Sequence, residues 1–268
     1  ALICEHPCEA RCRRNMIDSA INIRGLKRMA VDNARANTVP VPEKAESTGK
    51  KVAIIGGGPG GLSAAYYLEL MGHHAVVFEE KSKLGGMLRY GIPNYRFPRE
   101  RLQEDIDTIL STGVEVKLNT RVGNGEGEIS YNKLREEYDA VYIAIGAHTD
   151  KKIGIEGEDA NGVMSAVEML RRIGDDDMPD FKDKTVVVVG GGNVAMDATR
   201  TALRLGAEVH IVYRRSESEL PARLEEVHHA KEEGIIFDLL TNPVEILTDD
   251  KDWVTGIKCI RMELGEPD

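Results

Sequence analysis

The chain has 268 residues, of which 41% are apolar and 30% charged, and its formal net charge is −10. This composition is typical of a globular protein and argues against a disordered chain, while the acidic balance argues against a nucleic-acid partner. The sequence has no apolar run as long as a membrane span and no visible secretory leader, so we expect a cytoplasmic protein with no membrane partner.

The amino-terminal segment carries three closely spaced cysteines, Cys4, Cys8 and Cys12. Thiols stay reduced inside cells, where grouped cysteines bind metal more often than they form disulfides. Their spacing differs from that of zinc fingers and favours iron–sulfur ligation, with nearby arginines offsetting the negative charge of the thiolates. A zinc site, or thiols without a metal, are the alternatives. The fourth cysteine, Cys259, is expected to be a small buried hydrophobe.

Residues 1–48 are expected to form a helical segment followed by a linker. Apolar positions within a polar, mildly basic stretch predict one or two short helices before residue 37. Two prolines among small and charged residues mark 38–49 as the linker. Because the chain opens on Ala1 instead of methionine, we expect it to be either part of a longer polypeptide or processed at its start.

A βαβ unit is predicted next. The apolar run 51–55 is typical of a parallel strand buried on both faces, and it is followed by a predicted helix over 62–71 and a strand over 75–78. Between the first strand and the helix, Gly56, Gly58 and Gly61 form the pattern G-x-G-x-x-G, which in this context is typical of a dinucleotide-binding turn.

The glycines of this turn stand where a pyrophosphate requires them. Gly56 permits the tight turn, Gly58 lets the backbone approach the phosphates, and Gly61 lets the helix pack closely on the strand. The amino terminus of the helix offers free N–H groups and a partial positive charge. Glu79, with Glu80 beside it, ends the second strand, where a carboxylate accepts a hydrogen bond from a ribose. The alternative is a glycine-rich turn that binds no nucleotide.

Further strands and helices alternate along the rest of the chain. They are a helix over 102–110, strands over 114–118 and 138–145 (the latter buried), a helix over 163–173, an acidic loop over 174–184, and a second βαβ unit with a strand over 185–189, a helix over 194–205 and a strand over 209–213. This alternation predicts an α/β fold with a parallel sheet in each of two Rossmann-like domains, over 49–162 and 163–268.

The second glycine turn favours NADP(H) over NAD(H). Gly190, Gly192 and Ala195 match G-x-G-x-x-A, and the strand that follows the helix ends at Arg214 and Arg215 instead of a carboxylate. Guanidinium groups bind a 2′-phosphate by charge-assisted, often bidentate hydrogen bonds, whereas a carboxylate would repel it. The alternative is that the two arginines are a solvated surface pair.

The start of the second helix carries polar side chains whose role the sequence leaves open. Asn193 and Asp197 either border the nucleotide or take part in ordinary helix capping. Hydride transfer from a nicotinamide needs stacking and alignment but no side-chain acid or base, so we predict no catalytic residue.

Three separate motifs together resemble a known family. They are Ile3-Cys-Glu-His-Pro-Cys-Glu-Ala-Arg-Cys12 with Ile21-Asn22-Ile23 and Leu26, the two glycine turns, and Tyr213-Arg-Arg-Ser216 with Leu220-Pro221-Ala222. In this order they resemble the small (beta) subunit of NADPH-dependent glutamate synthase, a module found also in dihydropyrimidine dehydrogenase and in the large subunit of NADH-dependent ferredoxin:NADP oxidoreductase. The resemblance spans nearly the whole chain.

The resemblance implies the glutathione-reductase-like FAD/NAD(P) architecture, with FAD at the first turn and NADP(H) at the second. It implies that FAD takes hydride from NADPH and passes single electrons to two [4Fe–4S] clusters and on to a partner subunit, and that Cys4, Cys8 and Cys12 are shared between the clusters. The residues expected to contact the dinucleotides are Gly56, Gly58, Pro59, Gly60, Gly61, Glu79, Glu80, Gly86, Met87, Ala144, Gly146, Gly190, Gly192, Asn193, Val194, Ala195, Arg214 and Arg215.

The chain also departs from the family. Lys27 stands where some relatives have a glutamine cluster ligand, and an upstream cysteine group and a carboxyl-terminal strand with a Gly-Asp segment are absent. We therefore expect the ligand set for the clusters to be incomplete in this chain and its FAD affinity to be reduced.

Three other functions compete with this interpretation. A disulfide reductase would need a redox-active cysteine pair beside the flavin, and neither predicted domain has one. The others are an electron-bifurcating subunit of the same module type and a non-catalytic scaffold that keeps its nucleotide sites.

Overall fold

The computed structural model describes residues 2–34 and 40–266 of the chain. They divide into two compact units, Ala1–Ala147 and His148–Asp268. Residues 148–162, which the sequence grouped with the first domain, lie in the second unit, where Glu156 and Asn161 form β-bridges to a later hairpin. The first two residues of the predicted linker, 38 and 39, lie outside the described residues.

Short helices form the amino-terminal segment, as predicted. They are α1 (Pro7–Ala10), a 3₁₀ turn (Arg13–Met16) and α2 (Ile23–Ala34). Leu2 and Ile3 pack against the main apolar core of the first unit, and Arg101 donates a 2.9 Å hydrogen bond to the Asp32 carboxylate at the end of α2. The cysteine-bearing segment therefore rests on the first unit.

The first unit is built on a parallel sheet with the strand order β3-β2-β1-β4. Its strands are β1 (Lys51–Ile55), β2 (His74–Phe78), β3 (Glu115–Lys117) and β4 (Ala140–Ile143). The two central strands are buried because they alone have a strand on either side. The prediction of a buried strand over 138–145 was wrong: β4 lies at the edge, where Tyr142 is 47% and Ile143 58% exposed.

Helices cover both faces of this sheet. They are α3 (Pro59–Leu70), α4 (Met87–Tyr90), α5 (Arg99–Leu110) and α6 (Tyr131–Glu137), of which α4 and α6 were not predicted. Successive residues of a strand point to opposite faces. Ile54 thus joins the core that includes α3 and α5, while Ala53 joins a smaller core with Leu134 of α6. Helix α3 begins three residues earlier than predicted because Pro59 suits its first position and Gly58 precedes it as N-cap.

The second unit repeats this plan with a three-stranded parallel sheet in the order β5-β6-β7. Its elements are α7 (Ala166–Gly174), β5 (Thr185–Val189), α8 (Asn193–Arg204), β6 (Glu208–Tyr213), α9 (Leu224–Glu232), β7 (Ile236–Leu239) and the antiparallel hairpin β8 (Thr241–Thr248) with β9 (Val254–Arg261). Helix α7 begins at 166, later than predicted, because the Ser165 hydroxyl accepts a hydrogen bond from the amide of Glu168 and caps it.

The core of this unit lies around β6 and α8, with Ile211 and Met196 fully buried. No helix within residues 2–34 and 40–266 has the length and apolar character that a bilayer crossing requires.

Candidate functional site

The first glycine turn lies at the carboxyl end of β1, where α3 begins. Gly56 has a φ of +107°, a conformation that favours glycine, and a Cβ there would overlap the carbonyl oxygen of Ala144. A Cβ at Gly61 would overlap the carbonyl oxygen of Gly56. Pro59 and Gly60 are exposed, so the start of α3 is open to solvent. The turn therefore has the form that a pyrophosphate site needs.

The carboxylates of Glu79 and Glu80 lie in different surroundings. The Glu79 carboxylate is buried, accepting a 2.7 Å hydrogen bond from the amide of Gly57 with one oxygen and a 2.8 Å bond from the amide of Lys81 with the other. Glu80 is exposed, and its carboxylate lies 3.8 Å from the Arg121 guanidinium. Glu79 thus holds the glycine turn in place, whereas Glu80 lies in a surface ion pair. A contact of either carboxylate with a ribose stays a prediction.

Two other predicted segments border the same turn. A Cβ at Gly86 would lie 2.7 Å from the Cα of Gly58, so these two backbones touch, and Met87 then opens α4. On the other side, the amide of Ala144 donates to the carbonyl of Ile55 at 2.8 Å. The structure therefore brings 56–61, 79, 86–87 and 144 together at one sheet edge, with Gly146 two residues beyond.

The second glycine turn repeats this geometry between β5 and α8. Gly190 has a φ of +133°, and a Cβ added at Gly192 would meet no atom within 4 Å. Ala195 is buried under the turn, while Val194 is 46% exposed. The approach to the amino terminus of α8 is thus free within the second unit, which leaves room for a phosphate group.

Arg214 and Arg215 directly follow β6, at the sheet edge where the second turn lies. Both are exposed, and within the described residues neither guanidinium makes a hydrogen bond or an ion pair. The charge of Arg215 contributes to the lowered pKa of the Glu219 carboxyl, but hydrogen bonds from the Ser216 amide and hydroxyl lower that pKa more. Two cationic groups are therefore available here for an anionic ligand.

The segment that follows these arginines packs on the second turn. Sequence reasoning did not predict this contact. A Cβ at Gly191 would lie 2.6 Å from the Leu220 side chain and 2.9 Å from the Tyr213 ring. The amide of Ala222 donates to the carbonyl of Gly191 at 3.1 Å. Gly191, the middle glycine of the run, was the signal that could have revealed this packing, because the motif G-x-G-x-x-A does not require a glycine there.

Asn193 contacts the same segment. Its Oδ1 accepts a 3.0 Å hydrogen bond from the amide of Arg223, and Gly192 is the N-cap of α8, with no side-chain cap. Of the two roles considered, helix capping by Asn193 is thus not what the structure shows. Contact with NADPH stays a prediction, as it does for Asp197, which is buried in α8.

The three amino-terminal cysteines are free thiols with different surroundings. A hydrogen bond from the His6 amide, aided by Lys27 with its Nζ 3.8 Å from the sulfur, lowers the pKa of Cys4. Amides of residues 21, 14 and 15 lower the pKa of Cys12. Both thiols therefore lose their proton more readily than an unperturbed cysteine, and the thiolate is the form that binds metal. Among the described residues, however, no three or more potential ligands are gathered as a metal site requires.

Comparison with known proteins identifies the family. Residues 50–266 match the family described as pyridine nucleotide-disulphide oxidoreductase. The chain belongs to this family. Cys259 is the chain's only cysteine after Cys12, so this member of the pyridine nucleotide-disulphide oxidoreductases has no cysteine pair beside either glycine turn.

Two relatives of the chain are named as a subunit and a chain of larger enzymes. The chain is 44% identical, over 99% of its length, to the NADP(+)-dependent formate dehydrogenase subunit beta of Moorella thermoacetica, and covers 41% of it. It is 37% identical, over 97% of its length, to the glutamate synthase [NADPH] small chain of Escherichia coli, and covers 57% of it. The resemblance inferred from the motifs is thereby confirmed, and the chain spans about half the length of these relatives or less.

A solved structure supports the fold. The complex of Mycobacterium tuberculosis FprA with NADPH matches with a TM-score of 0.64 at 19% identity, covering 80% of this chain and 69% of that one. This confirms the Rossmann-like α/β fold.

Proposed function

We propose that this chain is the NADPH-oxidising flavoprotein module of a multi-subunit oxidoreductase, with FAD at the first glycine turn and NADP(H) at the second. The observation that carries this proposal is the second turn, where the space at Gly192 is open and two exposed arginines follow β6. The names of the relatives, an NADP(+)-dependent and an NADPH-dependent enzyme subunit, support the choice of nucleotide.

In the first unit, the chain's own groups would bind and orient the flavin dinucleotide. The first-turn amides of α3 have no intrahelical partners and would donate to the pyrophosphate. Glu79 keeps the turn in shape through Gly57 and retains lone pairs for a ribose hydroxyl. Bound FAD would accept a hydride from NADPH and release its electrons singly.

In the second unit, the NADP(H) pyrophosphate would lie against Gly190, Gly192, Val194 and Ala195. Arg214 and Arg215 would bind the 2′-phosphate.

Replacing both arginines by alanine should weaken NADPH binding by about a hundredfold, because two charge-assisted contacts are lost. NADH binding should change little. Isothermal titration with both nucleotides measures this, with Arg135→Ala, an exposed arginine of the first unit, as control. Equal losses for both nucleotides would remove the assignment of the arginines to the phosphate.

We further propose that Cys4, Cys8 and Cys12 supply part of the ligands of two [4Fe–4S] clusters, with the rest coming from outside this chain's described residues. The support is the number of thiols, their spacing, and the amide hydrogen bonds that lower the pKa of Cys4 and Cys12. Such ligands persist in a reducing compartment, so we place the protein in the cytoplasm.

The electron acceptor is proposed to be a partner subunit, since the relatives described above are named as subunits or chains of larger enzymes. The reaction at the partner determines the overall activity, and this chain needs no site for the final substrate.

A redox titration tests the proposal. The protein, purified with its partner, should be yellow, and its flavin absorbance should bleach anaerobically when NADPH is added and return with air. NADH at the same concentration should bleach it more slowly. A colourless protein with normal nucleotide binding would show instead that the chain is a scaffold that keeps its nucleotide sites without redox chemistry.

A further inference from the structure

The segment that carries the two arginines is attached to the second glycine turn, and Asn193 is one of the attachments. We name residues 214–223 the arginine loop. It begins where β6 ends and closes on the turn through Ala222 and Arg223. The turn and the loop are thus one structure, although about 20 residues separate them in sequence.

The arginine loop has its own internal order. The Tyr213 hydroxyl donates to the carbonyl of Glu219 at 2.8 Å, and the Glu219 carboxylate accepts a 3.0 Å hydrogen bond from the amide of Ser216. The carbonyl of Arg215 accepts from the amide of Leu240 at 3.1 Å. These contacts shape the loop and join it to the body of the second unit, but none of them reaches the glycine turn.

Besides the packing of Leu220 and Tyr213 on Gly191, the loop is joined to the turn by hydrogen bonds at its other end. There the amide of Ala222 donates to the carbonyl of Gly191, and the amide of Arg223 donates to Oδ1 of Asn193. The Arg223 side chain lies 3.1 Å from the Glu226 carboxylate, which also pairs with Arg200 of α8. Arg223 is therefore held from two sides, through its backbone by Asn193 and through its side chain by α9.

We infer that Asn193 is a positioning residue for selectivity: it sets the distance between the arginines that bind the 2′-phosphate and the turn that binds the pyrophosphate. The inference rests on the proposed function. Asn193 acts through the arginine loop, because its acceptor oxygen is engaged by Arg223. A residue in this role affects NADPH far more than NADH, since only NADPH uses the arginines.

The test compares Asn193→Ala, which removes the acceptor, with Asn193→Asp, which keeps it. In Asn193→Ala, exchange of the Ala222 and Arg223 amide hydrogens should become at least tenfold faster, and the ratio of the NADH and NADPH Kd values should fall about tenfold, with the NADH Kd within twofold of wild type. Asn193→Asp should restore slow exchange. Asn161→Ala, which removes another polar amide of the second unit, should change neither quantity.

Each outcome separates this inference from the proposed function. If Asn193→Ala weakens NADPH and NADH by the same factor, Asn193 contacts a part that both nucleotides share, and the inference is wrong. Unchanged exchange and an unchanged ratio would also overturn it while leaving the proposed function intact. A wild-type chain that does not prefer NADPH would remove the proposed function, and this inference with it.

Discussion

Single residues decide the shape of both turns, and the glycines act in different ways. Gly56 and Gly61 are needed because a side chain would overlap backbone atoms of the protein itself. Gly192 is different, since a Cβ there meets no atom and its φ of −87° suits any residue. In the proposed function the glycine at this position serves the ligand, which would approach the backbone where a Cβ would stand.

Replacement of Gly192 by alanine should therefore separate folding from binding. We expect Gly192→Ala to keep the thermal unfolding midpoint within about 2 °C of wild type. NADPH affinity should fall at least tenfold, as measured by titration of intrinsic or flavin fluorescence. Gly256→Ala, in β9 with its nearest atom 3.7 Å away, is the matched control and should leave both quantities unchanged. Full NADPH affinity in Gly192→Ala would place the pyrophosphate elsewhere.

Neighbouring residues at the end of a strand cannot be told apart by spacing. Glu79 and Glu80 both satisfy the expected distance from the glycine turn, but both follow the last residue of β2, Phe78, so the alternation along the strand does not fix their directions. The structure buries Glu79 against Gly57 and leaves Glu80 beside Arg121. The sequence could predict a carboxylate here, and only the packing shows which of the two is directed at the turn.

Helices α8 and α9 are joined by a partly buried network of ion pairs. Arg200 of α8 contacts the carboxylate of Glu226 at 2.6 Å and that of Glu233 at 2.7 Å, and Arg204 adds a second contact to Glu233. Burial raises the pKa of the Glu233 carboxyl, but hydrogen bonds from Arg204 and Arg200 outweigh this effect and bring the pKa to about 2. The network stabilises the two helices against which the arginine loop is held.

This network predicts a pH dependence of stability. A carboxyl whose pKa is lower in the folded state stabilises fully above its unfolded value, near 4.5, and loses that contribution as pH falls towards 2. Glu233→Gln should therefore reduce the free energy of unfolding by about 2 kcal/mol at pH 7. Its urea midpoint should depend less on pH between 4.5 and 2 than that of wild type.

The neighbouring residue supplies the control for this experiment. Glu232 is exposed at the end of α9, so Glu232→Gln should follow the wild-type curve at every pH. If the urea midpoints of Glu233→Gln and wild type change equally with pH across this range, the ionisation of Glu233 contributes nothing to stability.

At the scale of elements, sequence patterns predicted the strands that a continuous apolar run or a glycine at the boundary marks. Strands β1 and β5 were predicted at their observed bounds because both are short apolar runs that end at a glycine turn. Strands β7, β8 and β9 were missed because charged and polar residues interrupt them, as in Asp238 or Lys258. Such strands form because neighbouring strands supply hydrogen bonds, and a local pattern does not show that.

At the scale of the whole molecule, the cysteine-bearing segment is proposed to connect this chain to an electron acceptor. It packs on the first unit through Leu2 and Ile3, so electrons that leave a flavin there would enter this segment next. We therefore propose that the dinucleotides bound at the glycine turns take up the electrons and that clusters held by the cysteines pass them on.

Cysteine variants of the protein in its complete assembly should uncouple these two steps. Cys4→Ser or Cys12→Ser should lower iron and acid-labile sulfide content and abolish electron delivery to the partner, because thiolate ligands are lost. NADPH should still bleach the flavin. Cys259→Ser, in β9, is the control and should keep both iron and electron transfer. Unchanged iron content in the first two variants would exclude these sulfurs as ligands.

The sequence by itself determined that this protein has two βαβ units, which residues form the glycine turns, and that cationic groups stand where NAD-binding proteins carry a carboxylate. These features are local, since they depend on residue types at short spacing and on the steric freedom of glycine. Only the tertiary structure decided which carboxylate faces the first turn, that β4 is an exposed edge, and that Asn193 holds the arginine loop. Each of these depends on segments far apart in sequence, which meet only when the strands align at one edge of a sheet.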